Sequence, residues 1–307
     1  MSEIDVQKQS GSAPQVAPGA AEIFDQGYRS YEGPRTGIGS SMRAVSVSSI
    51  QRALGLRRKF RFKVVPLLTI FIAYVPALVF MGLAILLPTE LAGELVQDYA
   101  GYFGLITVTM ILLSAFVVPE VMGSDRRTGM FGLYMASPLT RWHYLGSKAA
   151  SIIAVMSLVT LLPVIFLMIG YSFLGIGPDG FVDGLEVLGK IIVSGFVLSI
   201  FFALFGMAAS TLTDRPLFAS AGIVMAIIAS EAFANIVVDQ TDAPEWIRAL
   251  GLLAMPLELI VRIWGGGQEE VPLEGMSDLA SFGLWFGACA LFASVIYIGY
   301  RRMEVTK

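Results

Sequence analysis

From Val64 onward the chain alternates long apolar runs with short polar breaks. The runs cover roughly residues 64–87, 100–118, 147–171, 187–212, 217–238 and 279–300. At 1.5 Å rise per residue each is long enough, as a helix, to cross a hydrocarbon core of ~30 Å. The pattern predicts an all-α polytopic membrane protein with six transmembrane helices. Pro66, Pro76 and Pro163 fall inside the runs and predict kinks that neighbouring helices accommodate.

Ahead of Val64 the pattern changes twice. Residues 1–40 are rich in Gly, Ser and Pro with few large apolar side chains, which predicts a mostly disordered tail. Within it "FDQGYRSYEGPR" offers Phe24, Tyr28 and Tyr31 as docking aromatics. Residues 41–63, "SMRAVSVSSIQRALGLRRKFRFK", repeat Val47, Ile50 and Leu54 at three- and four-residue steps among seven basic residues, Arg43 to Lys63. That spacing predicts a basic amphipathic helix. It either lies on anionic headgroups or stands solvated beside the membrane. The N-terminus lacks the signal-peptide pattern, so the first apolar run is expected to serve as the insertion signal.

Composition agrees with the pattern. Charged residues are 15% of the 307, against about 25% in a soluble chain, and mean hydropathy is +0.72. No polar run after residue 63 is long enough for a soluble enzyme domain. With the N-terminus inside, 18 of the 21 Lys and Arg fall on the inner side, leaving Lys190, Arg248 and Arg262 outside. The positive-inside rule therefore predicts that both termini are cytoplasmic. The sole cysteine, Cys289, lies in an apolar run and reads as a packing residue. The sole histidine, His143, has no cluster around it, reads as a loop residue, and no metal site is expected. The 14 Met are scattered through the runs and read as packing.

One sizeable inner loop remains, residues 119–146. Pro119 ends the second run, and Glu120, Asp125, Arg126 and Arg127 form a charged cluster. Gly129 breaks the segment, and "MFGLYMA" follows with Met130, Leu133 and Tyr134 on one helical face. Ser137-Pro138 stops that helix, and Thr140 is placed to cap the next. The residues by themselves allow two readings, a peg for a partner protein or a solvated connector.

The stretch "SDRRTGMFGLYMASPLTRWHYLGSKAAS" resembles the cytoplasmic loop of ABC-2-type transporter permeases. Gly129, Ser137-Pro138, Arg141 and Lys148 fall where that family places them, and "FDQGYRSYEGPR" looks like the start of one subgroup. The resemblance extends along the whole chain. It implies a coupling helix that docks on an ATP-hydrolysing subunit, carried by Asp125, Arg126, Arg127, Gly129, Leu133, Tyr134, Ser137 and Pro138. The chain itself has no G-x-x-x-x-G-K-[ST] phosphate loop, so the expectation is a permease rather than an enzyme. ATP and Mg would be bound by the partner. The partners implied are two copies of an ABC ATPase subunit, a second permease copy and the lipid membrane, with no nucleic acid. The location implied is the cytoplasmic membrane of a prokaryote.

The outer segment 239–278 is long and apolar, with a helix start at Pro244, a break at Met255-Pro256 and a glycine stop at 265–267. Two short helices either re-enter the outer leaflet or lie at headgroup level with Trp246 and Trp264. The resemblance implies the first, an external gate that includes Pro256 and Glu258. Glu231 is the one acid inside a run, with Asn235 at i+4 to share a hydrogen bond. It is either a polar point on a transport path or a structural carboxyl. "GLWFG" at 283–287 fits the G-x-x-x-G helix-contact pattern. Two other functions stay open: an ion-coupled secondary transporter that titrates Glu231, and a membrane scaffold that transports nothing.

Overall fold

The computed structural model describes residues 37–56, 61–87, 99–136, 139–241, 243–266 and 272–302, without the side chains of 61, 62, 65 and 136. The expectations for the tail 1–36, for Arg57, Arg58 and Lys59, and for Ser137-Pro138 lie outside the described residues. Ten α-helices follow in order among the described residues: α1 (Ile38–Ala53), α2 (Arg61–Leu86), α3 (Tyr99–Phe116), α4 (Val118–Arg127), α5 (Met130–Ala136), α6 (Arg141–Leu174), α7 (Phe181–Thr211), α8 (Pro216–Thr241), α9 (Ala254–Trp264) and α10 (Asp278–Arg301). A 3-10 turn, Glu245–Leu250, precedes α9, and no described residue is in a strand.

Six helical stretches are long and apolar enough to cross a membrane: Pro66–Leu86, Tyr99–Arg127, Arg141–Leu174, Phe181–Thr211, Pro216–Thr241 and Asp278–Arg301. We therefore read the chain as a multi-pass membrane protein. The helices are longer than the apolar runs, chiefly at their polar ends. The second continues through α3 and α4 to Arg127, so the expected loop 119–146 shrinks to the turn at 128–129, the short α5 and the link to Arg141. Pro119 does not end it. It occupies the first turn of α4, where a missing backbone N–H costs nothing.

Burial sorts the helices into a centre and a rim. The second and fourth spans are 67% and 72% buried, whereas the first, fifth and sixth are only 22%, 17% and 28% buried and turn apolar faces outward. The central helices approach closely through small residues, as polytopic bundles do. A Cβ added at Gly206 on α7 would meet Ser114 Oγ of α3 at 2.5 Å, and one at Gly195 would meet Leu161 Cδ2 of α6 at 2.3 Å. The same contacts carry hydrogen bonds. Ser114 Oγ donates to the Phe202 carbonyl at 3.0 Å, and Thr160 Oγ1 donates to the Gly195 carbonyl at 3.2 Å. Gly283 and Gly287 of the G-x-x-x-G pattern, by contrast, have no neighbour within 4 Å of an added Cβ among the described residues, so these two glycines mark no close helix approach there.

Helix ends follow ordinary capping chemistry. Thr140 Oγ1 accepts from His143 N at 3.4 Å to open α6, and Gly175 closes it with a φ of 73°. His143 thus belongs to the first turn of a helix rather than to a loop. Ser277 Oγ accepts from Ala280 N at 3.3 Å to open α10. Pro163 is carried inside α6 without interrupting it.

Candidate functional site

The end of the second span at Arg127, the start of the third at Arg141, the end of the fourth at Thr211, the end of α10 and the whole of α1 gather at one end of the bundle, here termed the basic end. Its centre is the Asp125 carboxylate, 0% exposed. Oδ2 accepts from Lys148 Nζ at 2.7 Å and from Tyr144 Oη at 2.9 Å, and Oδ1 pairs with Arg52. Arg52 also donates to Ser124 Oγ, and Lys148 donates to the Val121 carbonyl at 3.1 Å. One carboxylate therefore joins three helices: α1 through Arg52, α4 through its own backbone, and α6 through Tyr144 and Lys148.

A buried charge is tolerable only when paired and hydrogen-bonded. This knot meets the condition at every oxygen. α1 is seated further by reciprocal serine bonds: Ser46 Oγ donates to the Ser147 carbonyl at 3.2 Å, and Ser151 Oγ donates to the Ser46 carbonyl at 3.2 Å. Val45, Ser49 and Ala53 form its buried face, while Val47 is exposed and Ile50 half-buried. The inward face is thus made of the smaller side chains, as close packing on α6 demands.

Arg126 makes a second junction. Its guanidinium reaches the Ser210 carbonyl at 3.2 Å, Tyr300 Oη at 3.4 Å and Asp214 at 3.3 Å, and lies over the Tyr300 ring at 4.9 Å. It clamps α4 to the ends of α7 and α10. Arg127 points outward and pairs with Glu120 at 2.9 Å. Arg141 donates to the Arg301 carbonyl at 3.0 Å, and Trp142 stacks on Tyr297 at 4.4 Å, so α6 and α10 are held at the same end.

On this platform sits α5. Gly129, with φ 69°, makes the left-handed turn that sends the chain back, a conformation glycine adopts without penalty. Phe131 is buried and meets Tyr144 and Tyr300 edge-on at 5.5 and 5.8 Å. Tyr134 is half-buried, 5.6 Å from the Tyr144 ring. Met130 and Leu133 face outward, Leu133 at 65% exposure. The expected face of Met130, Leu133 and Tyr134 is divided, and Phe131, which the sequence reading passed over, is the anchor. Of the residues expected to grip a partner, Asp125 and Arg126 turn their charge inward, whereas Arg127, Met130 and Leu133 are at the surface.

At the opposite end Glu231 serves the segment after α8. Its Oε1 accepts from Leu253 N at 2.6 Å and Ala254 N at 3.1 Å, and Ser230 Oγ accepts from Leu252 N at 3.1 Å. Glu231 thereby caps the N-terminus of α9 from a different helix, where free N–H groups and the helix dipole favour a carboxylate. Gly251 leaves room for that carboxylate, because an added Cβ would lie 2.3 Å from Glu231 Oε1 and push it from the cap. Asn235 does not share that carboxylate; its Nδ2 donates to the Glu231 backbone carbonyl at 2.9 Å.

Pro256 and Glu258 are buried in α9. Glu258 accepts from Arg262 Nε at 2.7 Å and from Leu273 N at 3.1 Å, and Arg262 also bonds Asp278 at 2.7 Å and the Leu273 carbonyl at 3.1 Å. Burial alone lowers the Arg262 pKa, but the bonds to Asp278 and Glu258 outweigh it and hold the guanidinium above its ordinary value. Trp264 ends α9 by stacking on Tyr99 at 5.3 Å and donating to Ser194 Oγ at 3.1 Å. α9 is thus attached to α3, α7, α8 and α10 together.

No family model matches the chain, and comparison with curated proteins finds no match.

Proposed function

We propose that the chain is the transmembrane permease subunit of an ABC-2-type exporter, driven by ATP hydrolysis in a separate ATPase subunit. The observation that carries the reading is α5. It is a short helix with an outward apolar pair, Met130 and Leu133, rooted by Phe131 on a platform whose charges are internally satisfied. Such a helix is exposed enough to be gripped and anchored firmly enough to transmit what grips it. Asp125 and Arg126 then act beneath the contact surface as its support, and Arg127, Met130 and Leu133 form the contact.

The Lys and Arg bias gives the basic end a cytoplasmic position and both termini the same side. The membrane is the cytoplasmic membrane of a prokaryote. Two ATPase copies, each binding ATP and Mg, and a second permease copy complete the assembly. The attachments of α9, through Glu231, Arg262 and Trp264, suit an outer gate that moves as one piece with the helices holding it. Glu231 is engaged as a helix cap, which favours this reading over proton coupling through its carboxylate.

The test is co-purification in mild detergent from the native membrane. Wild type should retain an ATPase with a phosphate-binding Gly-rich loop, and Leu133→Glu should lose it while keeping the thermal stability of the wild type. Retention of no ATPase by wild type, or equal retention by Leu133→Glu, overturns the proposal.

A further inference from the structure

At the basic end the sixth span packs on the fourth through Phe292 and Gly299 but stands off from the fifth, leaving an apolar groove of about 320 Å³. Its floor is hollowed by small residues, Ala209, Gly222 and Ala226, and its walls are aromatic, Phe205, Phe218 and Phe292. Apart from Leu212 and Thr213 at the turn between the fourth and fifth spans, the groove is lined by helices apolar enough to span a membrane, and it is open to the surface. A lipid-facing slot of this kind admits hydrocarbon at little cost.

The mouth is not apolar. Arg215 is exposed, and its guanidinium lies 5.7 Å from the ring of Phe218, which lines the groove. Phe292, Val295, Gly299 and Arg302 follow one another at helical spacing along one face of the sixth span. Gly299 presses on Thr211, where an added Cβ would meet the Thr211 side chain at 3.2 Å, so this face runs to the same mouth. Arg302, also exposed, follows just past it. Among the described residues Asp214 is engaged by Arg126, Arg215 stands beside the slot, and Arg302 is exposed three residues beyond Gly299. From Leu291 to Arg302 the helix rises ~16 Å, about one leaflet of a core ~30 Å thick.

We propose that this groove binds one anionic phospholipid from the leaflet on the basic side, with its phosphate at Arg215 and Arg302 and one acyl chain along α8 and α10. Guanidinium forks suit phosphate oxygens, and a chain in the slot continues the apolar surface of the bundle. The site goes beyond the transporter reading and does not depend on it, since it needs only the six spans.

The experiment uses the full chain purified in mild detergent with a mixture of phosphatidylglycerol and phosphatidylcholine, and native mass spectrometry to count retained lipid. Wild type should keep one phosphatidylglycerol in preference to phosphatidylcholine. Arg215→Gln and Arg302→Gln should each reduce that preference roughly fivefold. Gly222→Leu should lose the retained lipid of either kind, because its side chain enters open space in the groove without a clash. Gly287→Leu, equally unhindered but outside the groove, should behave as wild type. No headgroup preference in wild type, or full retention by Gly222→Leu, overturns the proposal. So does a Gly222→Leu chain that keeps its lipid but dissociates a dimer, since the groove would then be a seam between copies.

Discussion

Asp125 and Lys148 pair at 2.7 Å with both side chains 1% exposed, on helices separated in sequence by the whole of α5. Breaking a buried pair by removing one partner typically costs about 3–5 kcal/mol, because it strands the other charge. Here the two sides are unequal. Asp125→Ala strands both Lys148 and Arg52, whereas Lys148→Met leaves Asp125 with Arg52 and Tyr144. Thermal unfolding in detergent should therefore rank Asp125→Ala as the larger loss, near the upper part of that range, and Lys148→Met as the smaller. Equal losses would mean that Arg52 contributes nothing to the knot.

The cap on α9 makes a second prediction. Glu231→Ala should loosen the segment 243–254 and cost about 0.5–2 kcal/mol, the usual worth of a helix cap. Asn235→Ala, which loses only a bond to its own helix, should be near neutral. Hydrogen exchange at Leu253 and Ala254 reads the difference, and equal protection in the two variants would count against the cap.

Gly251→Ala should mimic Glu231→Ala without removing the carboxylate, because the new methyl displaces Glu231 Oε1 from its place at Leu253 N and Ala254 N. Combining the two substitutions should then cost less than the sum of the separate effects. Additive losses would show that Gly251 acts through something other than Glu231.

A packing prediction contrasts two glycines. Gly206→Ala puts a methyl 2.5 Å from Ser114 Oγ and 3.2 Å from Val118 Cβ, in the most buried part of the bundle. Overpacking of this kind typically costs about 1–3 kcal/mol. Gly283→Ala faces open space and should leave the stability of the single chain unchanged. Differential scanning of both purified variants is sufficient.

At the junction of α9 with α10 Arg262 stays cationic at every accessible pH. Its pKa is raised, so the stability it contributes is present below the ordinary arginine value and is lost only as pH climbs beyond it. Arg262→Gln should destabilise the junction of α9 with α10 by leaving buried Glu258 with Leu273 N as its remaining partner. Arg262→Lys should rescue only part of that, since an ammonium lacks the fork that spans Glu258, Asp278 and the Leu273 carbonyl. Proteolytic susceptibility between residues 264 and 278 gives the readout.

The spans were legible because an apolar run of about 20 residues has few other uses. Their polar ends were not. Glu120, Asp125, Arg126 and Arg127 looked like a loop because charge within a span is rare, yet all four lie on helix α4. Asp125 is buried there against Arg52 and Lys148, which lie 73 and 23 residues away, beyond any local pattern. The cap at Thr140 was readable because it is local. Glu231 stands out in the sequence as an acid within an apolar run, but its task depends on the backbone of Leu253 and Ala254, which no spacing rule connects to it. Gly251, the residue that makes room for it, carried no signal at all.

The second span runs 29 residues, from Tyr99 to Arg127, which is ~43 Å at 1.5 Å per residue and longer than a hydrocarbon core of ~30 Å. One end is pinned in the Asp125 knot beneath α5, and the other stacks through Tyr99 on Trp264 at the tip of α9. Between them it is the second most enclosed of the six spans, so it has little freedom to bow. A connecting rod gripped at both ends and guided along its length converts a push on one end into travel at the other. Displacement of the Asp125 knot along that axis, with the helices it ties together, would then arrive at the Tyr99–Trp264 contact through the backbone of one enclosed span.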